Sequence, residues 1–484
     1  MSQRRHLIPF LETIDSAVVG CAGDIMLDRF VYGQVSRISP EAPIPVLHIE
    51  TQQSMLGGLG NVVRNLGALG CGIRLFSITG EDPAGDEVGA LVRGVPRCEA
   101  YLLGEAKRRT PVKVRYIAHG QQLLRADHET TEIAGEDVLK ALLAHFTAHV
   151  AECSIVFLSD YAKGMLHGSN AQAFISIARA AGKPVVVDPK GRGFERYRLA
   201  TVIKPNLKEL AESTGMPTGD TAAQELAARK LIEITEAEFI LLTRGGAGML
   251  LVARDQPRAE FPALAREVYD VSGAGDTVAA VLAAALGSGA RITDAVELAN
   301  IAAGIVVGKV GTAVVDRTEI IHEIEHESAI AASSKILRPT EAIERLRIWR
   351  RLGRRIGFTQ GNFNPLSSEH LELLERARSR CDLLVVGLTV EDNLSHNGAK
   401  ISPRDSRARA YLLASLASVD AVIICDPQSP TELIELLRPN LVAQLCSDAD
   451  IEQERRLIGT WNGEFMLVDA VGTPAQTPLS SREP

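Results

Sequence analysis

Residues Val271–Thr277 read V-S-G-A-G-D-T, and the eleven that follow, VAAVLAAALGS, are almost all apolar or helix-favouring. A glycine-rich turn that opens directly into a helix aims several backbone N–H groups and the positive end of the helix dipole at one point. That point is an anion hole, formed here by Gly273, Ala274 and Gly275. Asp276 stands inside it, where a carboxylate repels a phosphate unless it has a chemical role. Phosphoryl transfer supplies one, since the turn can hold the moving phosphate while Asp276 takes a proton from the attacking hydroxyl. The plain alternative is an N-capping Asp after a loop.

Other residues have the chemistry to complete such a site. Asp24 follows the first strand-like run, and the carboxyl ends of strands are where open α/β sheets bind ligands. It suits sugar hydroxyls, or else a simple G-D turn. Gly57, Gly58 and Gly60 let backbone approach a ligand, and Asn61 offers a polyol both a donor and an acceptor. Lys163 and Lys190 each follow a strand end. With Arg37 they could neutralise a phosphate already on the substrate; ordinary solvation is the alternative for each. Asn206 and Glu209 lie three apart at a helix start and so share a face, as a capping pair would too.

These residues need a scaffold, and the pattern around them is βαβ. Ser16–Cys21, Ile73–Thr79, Ser154–Ser159, Pro184–Asp188, Thr201–Lys204 and Phe239–Thr243 read as strands. Several are apolar along their whole length, as strands covered on both faces must be. Glu136–Ala148 and Ala222–Ile234 read as helices between them. Pro43–Glu50 and Pro111–Ala126 alternate apolar and polar residues, with His119–Gly120 as a hairpin turn. They predict a small antiparallel sheet standing off the main body as a lid.

The chain has 484 residues, so two or three domains are expected. Pattern is lost at AIAASSKILRP, which places a linker at 321–339 between a domain over 1–320 and one over 340–472. The second domain has a basic helix, Glu341–Arg351, strands at Arg355–Thr359, Leu383–Gly387 and Ala421–Ile424, and helices at Glu369–Ser379 and Arg404–Ala417. The Pro- and Ser-rich tail 473–484 reads as disordered. A net charge of −8 without a basic block argues against nucleic acid as a partner. Seven Cys without C-x-x-C spacing imply free thiols in a reducing compartment. No run of 18 apolar residues occurs and the N-terminus carries no cleavage pattern, so a cytoplasmic protein without a membrane partner is expected.

Seven segments occur in order: Asp24–Asp28 (DIMLD), Ser36–Pro43 (SRISPEAP), Gly57–Asn61 (GGLGN), Ser159–Gly164 (SDYAKG), Asp188–Gly191 (DPKG), Asn206–Glu209 (NLKE) and Val271–Thr277. Together they resemble the ribokinase-type (PfkB) sugar kinases over roughly residues 15–320. More narrowly, they are similar to the kinase half of the bifunctional heptose 7-phosphate kinase/heptose 1-phosphate adenylyltransferases, which serve lipopolysaccharide core synthesis. The resemblance implies ATP and Mg2+ as cofactors. It places Asn206, Leu207, Lys208 and Glu209 on nucleotide phosphates, with Glu209 reaching magnesium through water. Thr243, Gly245 and Gly248 fall near the nucleotide, and Asn300 and Gly304, with Val307–Gly311, on its adenine side.

Arg355–His370 (RIGFTQGNFNPLSSEH) resembles the nucleotidyltransferase signature G-x-F-D-x-x-H-x-G-H. Gly361, Phe363 and His370 fit. Asn364 replaces the acidic residue, Ser367 the first His and Glu369 the Gly, while the family's phosphate-binding Lys falls on Gln444. These losses weaken binding of one anion, so a kept fold with lost adenylyl transfer is expected.

The expectation is therefore an α/β protein. A ribokinase-like doubly wound sheet with a β lid phosphorylates the anomeric hydroxyl of a heptose 7-phosphate, and a smaller Rossmann-like nucleotidyltransferase-type domain follows. A homodimer is expected. Three alternatives stand beside it: a fully bifunctional enzyme, a C-terminal binding or dimerisation module, and a kinase for another sugar phosphate.

Overall fold

The computed structural model describes residues 4–264, 270–309, 311–389, 403–425, 430–445 and 451–468. The chain divides into a larger unit, His6–Glu323, and a smaller one over Ile324–Pro484 that also takes in Met1–Arg5.

The larger unit is built on a nine-stranded sheet. Its order is Ala259–Phe261, Met249–Ala253, Phe239–Thr243, Val202–Ile203, Val185–Asp188, Ile155–Ser159, Val18–Gly23, Gly72–Gly80, Cys98–Glu105. All neighbours are parallel until Phe239–Thr243, after which two antiparallel pairings close the edge. Chain order runs outward in both directions from Val18–Gly23, so the sheet has a topological switch point between that strand and Ile155–Ser159. Ligands of such sheets bind in the crevice beyond the carboxyl ends of the two switch strands. Asp24 and Asp160–Lys163 emerge there.

The helix Ala274–Gly287 lies in the interior. Ala279, Ala280, Val281, Leu282, Ala283, Ala284 and Ala285 are fully buried. A helix apolar all round must be covered all round, and alanine lets its neighbours come close. Burial of this rod fixes where its first turn, and hence Asp276, can sit.

The lid is a four-stranded sheet in the order Pro45–Gly58, Ile25–Ile38, Val112–Ala118, Gln121–His128. Its outer pairs are antiparallel but the central pair, Ile25–Ile38 with Val112–Ala118, is parallel, which corrects the wholly antiparallel sheet expected. His119 and Gly120 both have positive φ, as a two-residue hairpin requires. The expected segments are there but incomplete: Ile25–Ile38 is a 14-residue strand that alternation did not reveal. Its first half, IMLDRFV, is buried at nearly every position, so the period-2 signal is absent.

The smaller unit has six parallel strands, ordered Ile336–Leu337, Ala421–Cys425, Leu383–Thr389, Ile356–Gly361, Leu441–Leu445, Glu464–Val468. The division between the units, at Glu323 and Ile324, falls within the expected 321–339, and the stretch is ordered into elements. Arg317–Lys335 is one helix, and Ile336–Leu337 already pairs with Ala421–Cys425. Polar, alanine- and serine-rich sequence carries helix without an apolar stripe, which is why the hydrophobic pattern stops while the helix continues. The tail 473–484 lies outside the described residues.

Candidate active site

The site assembles at the switch point around Asp276. Gly273 caps the helix Ala274–Gly287 with φ +82°, a conformation only glycine adopts without strain. A Cβ there would also stand 2.9 Å from Asn61 Nδ2. Gly275 and Asp276 lie in the first helical turn, whose N–H groups have no intrahelical acceptor, and Gly275 is partly exposed. The turn is therefore open to an anion.

The Asp276 carboxylate is held by one donor on each oxygen. Asn61 Nδ2 donates to Oδ2 at 2.8 Å, and Tyr161 Oη donates to Oδ1 at 2.8 Å. Asn61 is oriented in turn: its Oδ1 accepts from Arg64 Nη1 at 3.3 Å, and its carbonyl accepts from Asn65 Nδ2 at 2.9 Å. Asn65 then takes the hydroxyl of Thr277, the residue after the base. Desolvation pushes the Asp276 carboxyl above its usual range, against the pull of Asn61, Tyr161 and Lys204, while Asp28 adds to the rise.

Lys204 is the buried cation of the site. Its Nζ lies 2.9 Å from Asp188 Oδ1, and a Cβ on Gly275 would stand 3.8 Å from it. Burial lifts the Asp188 carboxyl to about 6; Lys204 works against that rise, and Asp276 and Glu209 add to it. Burial works against charge on Lys204, yet Asp188 and its acidic neighbours hold its pKa above the ordinary lysine value.

The expected sugar-binding residues fall into different roles. Asp24 is buried and accepts from the backbone N–H groups of Tyr161 (2.9 Å), Lys163 (2.9 Å) and Met165 (3.3 Å). Its carboxylate organises the loop after Ile155–Ser159, because strand ends leave those N–H groups without partners. Asn61 faces Asp276 directly. Gly57 and Gly58 close the strand Pro45–Gly58: a Cβ on Gly57 would stand 2.5 Å from Asp28 Oδ2, and Gly58 caps the helix Leu59–Leu69 at φ +58°. Asp28, buried and 2.6 Å from Arg115 Nη1, is a further carboxylate at this mouth.

Arg37, Lys163 and Lys190 are not gathered into one anion cluster. Lys163 Nζ lies 2.6 Å from Glu129 and Lys190 Nζ 2.7 Å from Glu209. Arg37 is exposed near the far end of Ile25–Ile38, on the order of 40 Å along the strand from Asp24 at the usual rise per residue. A long ribbon carries it away from the base.

On the nucleotide side Asn206 and Glu209 form a reciprocal capping box (2.9 and 3.0 Å) at the head of Leu207–Thr214. Lys208 in that turn is exposed and reaches Glu212. Thr243 bridges Asn206 from the adjacent strand. Gly245 and Gly248, both at positive φ, shape the turn that follows. Asn300 donates to Pro262 O at 2.8 Å, and Gly304 lies in the same helix, Ile292–Val306. Both Glu209 oxygens are engaged, one by Lys190 Nζ and one by the Asn206 N–H, so the helix start open to a nucleotide phosphate is that of Ala274–Gly287, which no side chain caps. Among the described residues no three His, Cys, Asp or Glu converge on a metal.

Four residues of this constellation were given no role from sequence: Tyr161, Asp188 and Asp28, which lie within quoted motifs, and Lys204, which does not. A lysine ending an apolar strand, T-V-I-K, was the available signal for Lys204.

In the smaller unit His370 closes a capping box with Ser367: Ser367 Oγ and N lie 2.9 and 3.1 Å from His370 Nδ1. Phe363, buried and at positive φ, packs its ring 5.0 Å from that of His370. Gln444 is buried and donates to Glu454, which also accepts from Gln360 at 2.6 Å.

A family model described as pfkB family carbohydrate kinase matches residues 16–319, and one described as Cytidylyltransferase-like matches 358–476. Bifunctional protein HldE of Paramagnetospirillum magneticum is 44% identical over 482 residues, spanning 99% of this chain and 98% of that one. The chain belongs to the HldE family. The HldE protein of Rhodospirillum rubrum is 47% identical over 88% of this chain and 86% of its own length. Among solved structures, Arabidopsis thaliana ribokinase complexed with ribose and ATP shares the fold of the larger unit (TM-score 0.51, 20% identity, 64% of this chain, 99% of that one). Phosphofructokinase-2 from Escherichia coli in complex with potassium does so as well (TM-score 0.54, 20% identity, 64% and 99%). As a pfkB-type HldE family member the chain is a phosphotransferase. Among its described residues no helix is long and apolar enough to cross a membrane.

Proposed function

We propose that the larger unit phosphorylates the anomeric hydroxyl of a heptose 7-phosphate with Mg-ATP, giving the 1,7-bisphosphate. The observation that carries the reading is the Asp276 carboxylate, held by Asn61 and Tyr161 at an open helix N-terminus beside Lys204. ATP supplies the phosphoryl group, and magnesium offsets its charge. Asp276 accepts the sugar proton, Gly273–Gly275 present N–H groups to the transferred phosphate, and Asn206 and Glu209 set the nucleotide side. The heptose assignment rests on the seven ordered motifs.

A coupled assay over a panel of heptose, hexose and pentose phosphates and their unphosphorylated counterparts tests it. The 7-phosphate is expected to lead in kcat/KM, and Asp276→Asn to lower kcat by about 10²–10⁴. Equal use of free sugars would sink the substrate reading; turnover within threefold in Asp276→Asn would sink the role of Asp276.

For the smaller unit we infer that adenylyl transfer is lost. Ser367 Oγ and His370 Nδ1 are turned to each other, Glu369 adds negative charge to the first turn, and Gln444 is tied to a buried carboxylate. A second reading, that both units act, is favoured by the near full-length match to relatives named bifunctional. Magnesium-dependent pyrophosphate release from ATP and a heptose 1-phosphate, abolished by His370→Ala, would establish that second reading.

A homodimer is supported by exposed Tyr32, Ile38, Ile49 and Leu124 on the lid strands, and sedimentation would test it. A cytoplasmic location is supported by free Cys21, Cys71, Cys98, Cys153, Cys381 and Cys425.

A further inference from the structure

Tyr161 leaves the strand Ile155–Ser159 at the switch point and reaches across it to Asp276. Its backbone is pinned on both sides: its own N–H donates to Asp24 Oδ2 at 2.9 Å, and the next N–H, of Ala162, donates to Asp160 Oδ1 at 2.7 Å. Asp160 is itself buried and tied to Tyr197 Oη at 2.6 Å. So much anchoring delivers one phenol to one place, 2.8 Å from Asp276 Oδ1. Packing alone needs only a phenyl ring.

We infer that Tyr161 is a positioning residue for phosphoryl transfer, its hydroxyl fixing the Asp276 carboxylate in the plane from which it accepts the sugar proton. The inference rests on Asp276 being the base. With Asn61 on one oxygen and Tyr161 on the other, the carboxylate cannot rotate about its Cβ–Cγ bond, and each oxygen keeps a lone pair for the sugar. The sugar O–H gives its proton to that carboxylate as its oxygen bonds to the γ-phosphorus. The bond from that phosphorus to the bridging oxygen breaks, and ADP leaves with the electron pair. Tyr161 stays protonated throughout. Burial, with the nearby charges of Asp276 and Asp188, pushes its phenol well above the usual range, so it acts only as a donor.

Facing Asp276 are Lys204 and the two donors, which favour the carboxylate, and Asp28 and Asp188, whose negative charges oppose it. Removing the Tyr161 donor raises the Asp276 pKa. Because the base works deprotonated, the acid limb of kcat/KM then moves to higher pH.

The experiment uses the full chain with Tyr161→Phe, and a second protein carrying 3-fluorotyrosine at 161. Tyr161→Phe is expected to lower kcat about 10- to 100-fold, the cost of a base no longer held in its reacting orientation. The KM for ATP should stay within twofold, and the acid limb should rise by about half a pH unit or more. The fluorinated phenol keeps the packing and is the stronger donor, so its acid limb should fall below that of wild type. An unchanged kcat and unmoved limb in Tyr161→Phe, or an unmoved limb in the fluorinated protein, would overturn the inference. Asp276→Asn separates the failures: inactive there but wild-type in Tyr161→Phe sinks only the Tyr161 role, while activity in both sinks the base.

Discussion

Gly273→Ala joins the backbone of the anion hole to the base in one perturbation. Gly273 has φ +82°, and forcing an L-residue into the left-handed region costs about 1–2 kcal/mol. The new Cβ also meets Asn61 Nδ2 at 2.9 Å, so the amide must move. That amide donates to Asp276 at 2.8 Å, and a hydrogen bond to a charged group is worth about 1.5–3 kcal/mol. The two costs read out separately. Global stability should fall by about 1–2 kcal/mol in chemical denaturation, and kcat/KM should fall by roughly 10- to 150-fold in an ADP-release assay. A double-mutant cycle with Asn61→Ala isolates the route. If the catalytic loss travels through Asn61, the double variant is little worse than Asn61→Ala alone. Fully additive losses, or a Gly273→Ala enzyme within twofold of wild type, would refute the reasoning.

Other consequences follow from the same geometry. Lys204→Met strands the buried Asp188 carboxylate and should cost about 3–5 kcal/mol at pH 8. The Asp188 carboxyl, already lifted to about 6, rises further without its cation, so the penalty should shrink at pH 5, where the group is neutral; equal losses at both pH values would contradict this. Since desolvation raises the Asp276 carboxyl, wild-type kcat/KM should fall with acidification above the ordinary carboxylate range, once the substrate phosphate's own ionisation is separated. An acid limb no higher than that of an ordinary carboxylate would count against a desolvated base. Ser367→Ala removes the cap shared with His370 and should lower stability of the smaller unit by about 1 kcal/mol; no change in its unfolding midpoint would mean the cap is idle.

The apolar runs at Ile155–Ser159 and Val185–Asp188, and the switch from them to helical stretches, specified a parallel sheet by themselves, because a strand buried on both faces has no room for polar side chains. The G-A-G-D turn likewise declared its chemistry locally: glycine conformation, helix start and carboxylate are all sequence neighbours. The boundary between the units, at Glu323 and Ile324, falls inside the expected 321–339; what the lost pattern did not show is that helix runs through it from Arg317 to Lys335. What local sequence could not determine was partnership. Lys163, Lys190 and Arg37 looked alike as cations for a substrate phosphate, yet Glu129, Glu209 and the length of the lid ribbon separate them. Asp24 looked like a ligand and is bonded to three backbone N–H groups. Tyr161 is 115 residues from Asp276 and Asn61 is 215, so their convergence on one carboxylate exists only once the sheet has brought its switch strands side by side. Sequence determined which groups could carry charge and bend backbone; the tertiary structure decided which of them meet, because hydrogen bonds and desolvation act over a few ångströms and are blind to distance along the chain.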